Sequence, residues 1–329
     1  MPASDPDTEF GRTAGRGGAA ALRVEAWDNP ADHAFDGVEP RPGSAKPDPI
    51  LIADGVERTF GGIRAVSVDH LEVQRGAITA LIGPNGAGKT TFFNLLTAFD
   101  RPDHGNVVFD GQPASGQPSY ALASKGMVRT FQLTKVLAKM SVLDNMMLAA
   151  QAQTGESMWR GLLHGWRGQE SDVRARALDV LERFNMVHMQ AEFAGALSGG
   201  QRKLLEMARS MMADPKLIML DEPMAGVNPA LTQSLLGHVK RLRSEGITVM
   251  FVEHDMDVVR DISDWVVVMA EGLIIAEGPS DAIGSNQAVV DAYLGSSHSA
   301  LTEEIILGQV PDPDELADGV RESREGGDG

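Results

Sequence analysis

The sequence predicts an α/β fold: a mostly parallel sheet core with an antiparallel β subdomain and an inserted helical subdomain. Three features of its patterning point there. Short continuous apolar runs, among them Ala77–Ile82, Leu217–Leu220 and Ile247–Val252, alternate with helical stretches. That is how strands of a parallel sheet read when helices cover both faces. Residues Ala65–Val73 instead alternate apolar and polar side chains, the period-2 pattern of an antiparallel strand half exposed to solvent. From 136 to 213 the pattern becomes helical without a strand, so that block interrupts the sheet as a subdomain of its own.

Taken along the chain, ordered structure is expected from Ile50 onward. The run Ala77–Ile82 is bounded by Gly76 and Gly83, which marks a short buried strand, and the apolar Phe92–Leu96 after it suits a core-facing helix. Asn106–Phe109 reads as a strand turned by Asp110-Gly111. Ser141 is placed to N-cap a helix, with Asp144 where the acid of a capping box belongs. Asp172–Asn185 repeats apolar residues at helical spacing, and Gly200–Met212 is a further helix stopped before Asp214-Pro215. A helix over 230–244 and strands at Trp265–Met269 and Leu273–Ala276 complete the order. Gly155–Glu170, with its two tryptophans and several glycines, reads as an insertion loop on the subdomain surface.

Composition narrows the class. The 329 residues carry a net charge of -17, which argues against non-specific nucleic-acid binding and against a polybasic grip on anionic lipid. Much of the acidity lies at the ends: residues 303–329 hold nine Asp/Glu against two Arg. Residues 1–49 and 296–329 lack the apolar pattern needed to offset ordering entropy, so both are expected as disordered tails around a domain at 50–295. The chain has no cysteine, hence no disulfide or thiolate metal site, in keeping with a reducing cytosol. No stretch approaches the roughly 18 apolar residues of a membrane span, and Met1-Pro2-Ala3-Ser4-Asp5 does not open a signal peptide.

The residues that carry chemistry begin with Gly83-Pro84-Asn85-Gly86-Ala87-Gly88-Lys89-Thr90-Thr91, set between a predicted strand and a predicted helix. In that context G-x-x-x-x-G-K-[ST] is a phosphate-binding loop. Its glycines let backbone N–H groups turn inward, and the helix start adds partial positive charge. Lys89 would reach the terminal phosphates of a nucleoside triphosphate, and the Thr90 hydroxyl would ligate Mg²⁺. A second apolar run ends in Asp221-Glu222, at a strand's carboxyl end where open α/β sheets hold ligands. Asp221 would hold Mg²⁺, and Glu222 would polarise the attacking water as general base. The third string is Leu197-Ser198-Gly199-Gly200-Gln201. Ser198 at a helix start, followed by two glycines, offers an anion a hydroxyl and backbone N–H groups, although a plain N-cap reads the same way.

Together these strings resemble the nucleotide-binding domain of ABC ATPases over residues 50–295. The resemblance implies that Ser198, Gly199, Gly200 and Gln201 form the signature that closes over ATP held by a second, head-to-tail subunit. It implies that Phe60 stacks on adenine and that Gln132 touches Mg²⁺ and water and reports to a membrane partner. It makes His254 the switch histidine at the γ-phosphate, while Glu253 beside it is expected to face solvent. The loop Ala225-Gly226-Val227-Asn228 departs from the family's usual Leu-Asp ending, and Asn228 there removes a charge at the subunit interface.

Softer strings, including Phe60-Gly61-Gly62, Val128–Gln132 and Asp291–Gly295, resemble the ATPases of branched-chain amino acid importers. Urea or amide importers and lipopolysaccharide export ATPases share some of them. The expected protein is therefore an ATP hydrolase using ATP and Mg²⁺, peripheral on the cytoplasmic face of the membrane. Its expected partners are a second ATPase subunit, transmembrane permease subunits and, indirectly, a periplasmic or extracellular solute-binding protein, with no nucleic acid. A permease coupling helix would sit near Thr134–Met140, where Val136, Leu137 and Met140 could equally be core. A soluble ABC ATPase acting on ribosomes or DNA is the contrasting class, disfavoured by the acidity.

Overall fold

The structure is a computed structural model that describes residues 33–130, 136–150 and 166–296. The expectations for Gln132 and for most of the two tails lie outside those residues. Two sheets carry the described chain. In the smaller, the hairpin of β1 (Pro49–Phe60) and β2 (Ile63–Gln74) is extended by β4 (His104–Phe109) and β5 (Gln112–Pro113), all antiparallel, in the order β2-β1-β4-β5. The larger runs β10-β9-β3-β8-β7-β6. Its members β3 (Ile78–Ile82), β6 (Met127–Arg129), β7 (Leu217–Asp221), β8 (Thr248–Val252) and β9 (Trp265–Ala270) are parallel, and β10 (Leu273–Gly278) pairs antiparallel at the edge.

Strand alternation divides the interior in two. Ile78, Ala80, Ile82, Ile218 and Leu220 enter one apolar core with the helices, whereas Leu81, Leu217, Met219, Met250 and Val252 enter another. The second core is closed by Phe92 and Phe93 of α1 (Lys89–Leu96) and by the inner face of the smaller sheet. Every residue of β3, β7 and β8 is buried, so these runs read as continuous apolar strings. At about 1.5–3 kcal/mol for each large side chain buried, this central layer supplies the main driving force for the fold.

After α2 (Ser119–Ser124), the helical block comprises α3 (Val142–Leu148), α4 (Trp166–Arg183) and α5 (Gly199–Met211). Ser141 caps α3 as its sequence position implies, accepting from the Asp144 N–H at 3.0 Å. The segment Gly155–Glu170 is helical rather than loop from Trp166 on, because Arg167, Gln169 and Glu170 are good helix formers that extend α4 ahead of its apolar stripe. Its earlier residues lie outside the described chain. Beyond β7 follow α6 (Pro229–Ser244), α7 (Met256–Ile262), α8 (Ser280–Gly284) and α9 (Gln287–Ser296).

The boundary of the N-terminal tail differs from the sequence expectation. Residues 33–48, placed there in a disordered tail ending at 49, pack onto the β9–β10 edge. Phe35 stacks on Trp265 with ring centroids 4.7 Å apart, and the Lys46 ammonium lies 4.5 Å from the Trp265 ring. Glu277, almost fully buried, accepts from Ser44 N at 2.6 Å and Trp265 Nε1 at 3.1 Å, and pairs with Lys46 at 3.5 Å. The segment is ordered because Phe35 and Val38 pack against the core and its polar atoms satisfy a buried carboxylate that would otherwise be costly.

His238 of α6 joins the helical block to the core by stacking on Phe184, centroids 4.5 Å apart. Burial, reinforced by Arg241, lowers its pKa to about 4. The unfolded chain therefore binds a proton that the folded chain refuses below the ordinary histidine range. Stability from this residue is complete above about pH 6.5 and is lost as pH falls toward 4. In urea titrations across that window, His238→Phe should show a shallower fall in stability with pH than the parent.

Candidate nucleotide site

The carboxyl ends of β3, β8 and β7 lie side by side at one edge of the parallel sheet, and each leads into a predicted site segment. Gly83–Thr91 follows β3. Gly83 has φ +147°, and a Cβ there would lie 2.0 Å from the Met269 carbonyl oxygen. Gly88, at φ +96°, would place one 2.4 Å from the Ala65 carbonyl oxygen. The loop is thus wedged between β9 and β2, where only glycine fits. Gly88 is also the N-cap of α1 and supplies no side-chain cap, so the first-turn N–H groups keep their capacity for an anion. Asn85, Gly86 and Thr90 are exposed, while Ala87 is buried.

Lys89 lies across the loop, its Nζ donating to the carbonyls of Gly83 at 2.6 Å and Pro84 at 2.9 Å. Burial pulls its pKa down, and the nearby Glu222 carboxylate opposes that shift. From the other side, Tyr293 of α9 sets its hydroxyl against the Gly83 backbone, and burial pushes its pKa up to about 12. In the sequence Tyr293 stands only within the family-like ending Asp291–Gly295; its place against the loop is a tertiary result.

Asp221 is buried, and Arg129 Nη2 donates to its Oδ2 at 2.8 Å. Arg129 also donates to Asn94 Oδ1 at 2.6 Å and Thr97 Oγ1 at 3.1 Å, which ties β6 and β7 to α1. No motif spacing relates Arg129 to Asp221, so this partner of the site is visible only in the fold. The hydroxyl of Thr90 and the carboxylate of Asp221 are hard oxygen donors of the kind Mg²⁺ prefers, so the residue set fits that ion. Glu222 has φ +47°, uncommon for a residue with a Cβ, and its N–H donates to the Val252 carbonyl at 3.1 Å.

Glu253 corrects the expectation that it faces solvent: it is 1% exposed. Its Oε1 accepts from Met224 N at 2.9 Å and its Oε2 from His254 N at 3.3 Å, and burial raises its pKa. As the last residue before the loop turns outward, it continues the buried strand, and the two N–H groups satisfy its carboxylate. His254 itself is exposed. Phe60, at the end of β1, is 47% exposed with the Arg58 guanidinium 4.7 Å from its ring. It ends the hairpin whose other strand places Ala65 against Gly88.

Ser198 caps α5 in a full capping box: its hydroxyl accepts from Gln201 N at 3.3 Å, and its N–H donates to Gln201 Oε1 at 2.8 Å. Ser198 and Gly199 are exposed, whereas Gly200 is buried where a Cβ would meet Leu231. Asn228 caps α6 through the Leu231 N–H at 3.0 Å, so its side chain has a structural duty beside any interfacial one. Among the described residues, no hydrogen bond joins 198–201 to the phosphate loop of the same chain.

A glycine-wedged phosphate loop, an Asp-Glu strand end and an exposed, capped signature turn on one α/β scaffold define a P-loop nucleoside triphosphatase of the cassette type. The chain belongs to the ABC transporter ATPase family. Residues 66–225 match the family described as ABC transporter, and 274–299 match that described as branched-chain amino acid ATP-binding cassette transporter. The chain is 40% identical over 252 residues to a probable branched-chain amino acid transport ATP-binding protein, LivG, of Archaeoglobus fulgidus, covering 77% of this chain and 98% of that one. It is also 40% identical over 252 residues to BraF, a high-affinity branched-chain amino acid transport ATP-binding protein of Pseudomonas aeruginosa, covering 76% and 99%. Among solved structures, the ADP conformation of an ATP-binding cassette of an ABC transporter aligns with TM-score 0.65 and 35% identity, covering 75% of this chain and 99% of that chain.

Arg129→Met should cost about 3–5 kcal/mol of stability in chemical denaturation, because it leaves the buried Asp221 carboxylate without its cation. The double variant with Asp221→Asn should lose less than the sum of the two single losses.

Proposed function

We propose that this chain is the ATP-binding and hydrolysing subunit of an importer for branched-chain amino acids, acting from the cytoplasmic face through separate permease subunits. The observation that carries the catalytic reading is the glycine-wedged phosphate loop, crossed by Lys89, at the same end of the parallel sheet as the Asp221-Glu222 strand end. The names of the relatives and the match over 274–299 support the substrate class.

In this reading the loop amides and Lys89 bind the β- and γ-phosphates, and Phe60 stacks on the base. Thr90 and Asp221 would hold Mg²⁺, which would supply charge neutralisation at the phosphates. Glu222 draws the proton from the attacking water, Gln132 orients that water, and His254 contacts the γ-phosphate. Ser198, Gly199, Gly200 and Gln201 act on the nucleotide of a second subunit, which makes the site composite. ATP then favours the closed pair, and hydrolysis releases it.

Glu222→Gln should lower kcat by about 10²–10⁴-fold in a phosphate-release assay. ATP binding should persist, and ATP should shift the variant toward a dimer on gel filtration. Undiminished turnover would rule out Glu222 as the base. The substrate class is checked by tagging the chain in membranes: the co-purified permease should restore uptake of labelled leucine when the components are reconstituted, and recovery of ribosomes instead would contradict the reading.

A further inference from the structure

Lys203 lies on α5 just beyond the signature turn and reaches out of its own helix. Its Nζ donates to three carbonyl oxygens of the turn after β7: Glu222 at 3.2 Å, Pro223 at 3.0 Å and Ala225 at 2.6 Å. That turn carries the predicted general base in a left-handed backbone conformation, Glu222 at φ +47°. The same turn is held at Met224 N by Oε1 of the buried Glu253, at 2.9 Å, and the other oxygen of Glu253 accepts from His254 N. The Glu222 turn is therefore tied on one side to the signature helix and on the other to the residue preceding the switch histidine.

The ties differ in kind. Glu253 extends a central strand buried on both faces, which makes it a rigid anchor. Lys203 belongs to a helix whose first turn, Ser198–Gly199, is exposed. An ammonium group that is partly desolvated and shared among three carbonyls forms charge-assisted bonds, stronger than neutral ones and sensitive to displacement of the helix that carries it.

We propose that Lys203 is a positioning residue for Glu222, and that it transmits the engagement of its own signature turn to the general base of the same subunit. The proposal rests on the reading that residues 198–201 close over the nucleotide of a second subunit. On that reading, closure at one composite site draws on α5, and through Lys203 it sets the Glu222 turn of the other, so that the two sites hydrolyse cooperatively.

The test compares Lys203→Met, which keeps the aliphatic stem and removes the ammonium, with Lys203→Arg, which keeps a cationic donor. ATP hydrolysis is measured against ATP concentration, beside equilibrium binding of a fluorescent ATP analogue and thermal melting. For Lys203→Met we expect kcat to fall by about tenfold, analogue affinity to stay within about twofold, and the Hill coefficient to drop from near two toward one. Lys203→Arg should restore kcat to within about threefold of the parent. Should Lys203→Met melt well below the parent, both proteins are assayed at a temperature well under the lower melting point, with the same readings. A variant without the ammonium that keeps the parent kcat and Hill coefficient would overturn the proposal. So would a drop that Lys203→Arg does not relieve. A parent chain that binds but never hydrolyses ATP would count against the functional reading instead, which keeps the two failures apart.

Discussion

Burial of β3, β8 and β7 on both faces is the constraint on which the remaining structure depends. Each strand contributes alternate side chains to the helical core and to the core beneath the smaller sheet, so a register slip of one residue would exchange the two sets. Holding that register places Gly83, Asp221 and Glu253 at neighbouring strand ends. Three loops distant in sequence then share one edge of the sheet, and their chemistry follows from a packing requirement.

Charged groups at that edge are each tied by a partner that no linear motif specifies. Arg129 restrains Asp221 and is itself restrained by Asn94 and Thr97 of the helix that begins at Lys89. Glu253 is held by two backbone N–H groups and Lys203 by three carbonyls, both across the turn that carries Glu222. In a poorly solvated site these bonds are worth more than on the surface, and loss of one partner leaves an uncompensated group. Such mutual restraint fixes the turn that carries Glu222 and the carboxylate of Asp221 against the strands and helices around them.

The signature turn is built on another principle. Ser198 and Gln201 satisfy each other in a capping box, and Gly200 permits close packing against Leu231 at the start of α6, which Asn228 caps. The helix ends are thus stable as they stand, with Ser198 and Gly199 outward. A surface that is pre-organised, exposed and unconnected by hydrogen bonds to its own phosphate loop suits recognition of a nucleotide held elsewhere.

The phosphate loop, the Asp-Glu strand end and the signature were readable in the sequence because each depends on local backbone geometry. A glycine where a Cβ would strike a carbonyl, or a serine where a helix begins, leaves a mark at a fixed spacing. The continuous apolar runs likewise identified a sheet buried on both faces. The sequence alone could not place Glu253, since a carboxylate after a strand ordinarily faces water and its burial depends on an N–H from Met224, far away in the chain. It could not order residues 33–48 either, because Phe35 and Lys46 are held by Trp265 and Glu277 at the opposite end of the domain. Nor could it pair Arg129 with Asp221, or Lys203 with the Glu222 turn. The sequence by itself determined the fold class and the family, which rest on local spacing, and from them named the residues proposed to meet the nucleotide. Only the tertiary structure decided how those residues are held, because a long-range bond to a buried charge leaves no periodic trace along the chain.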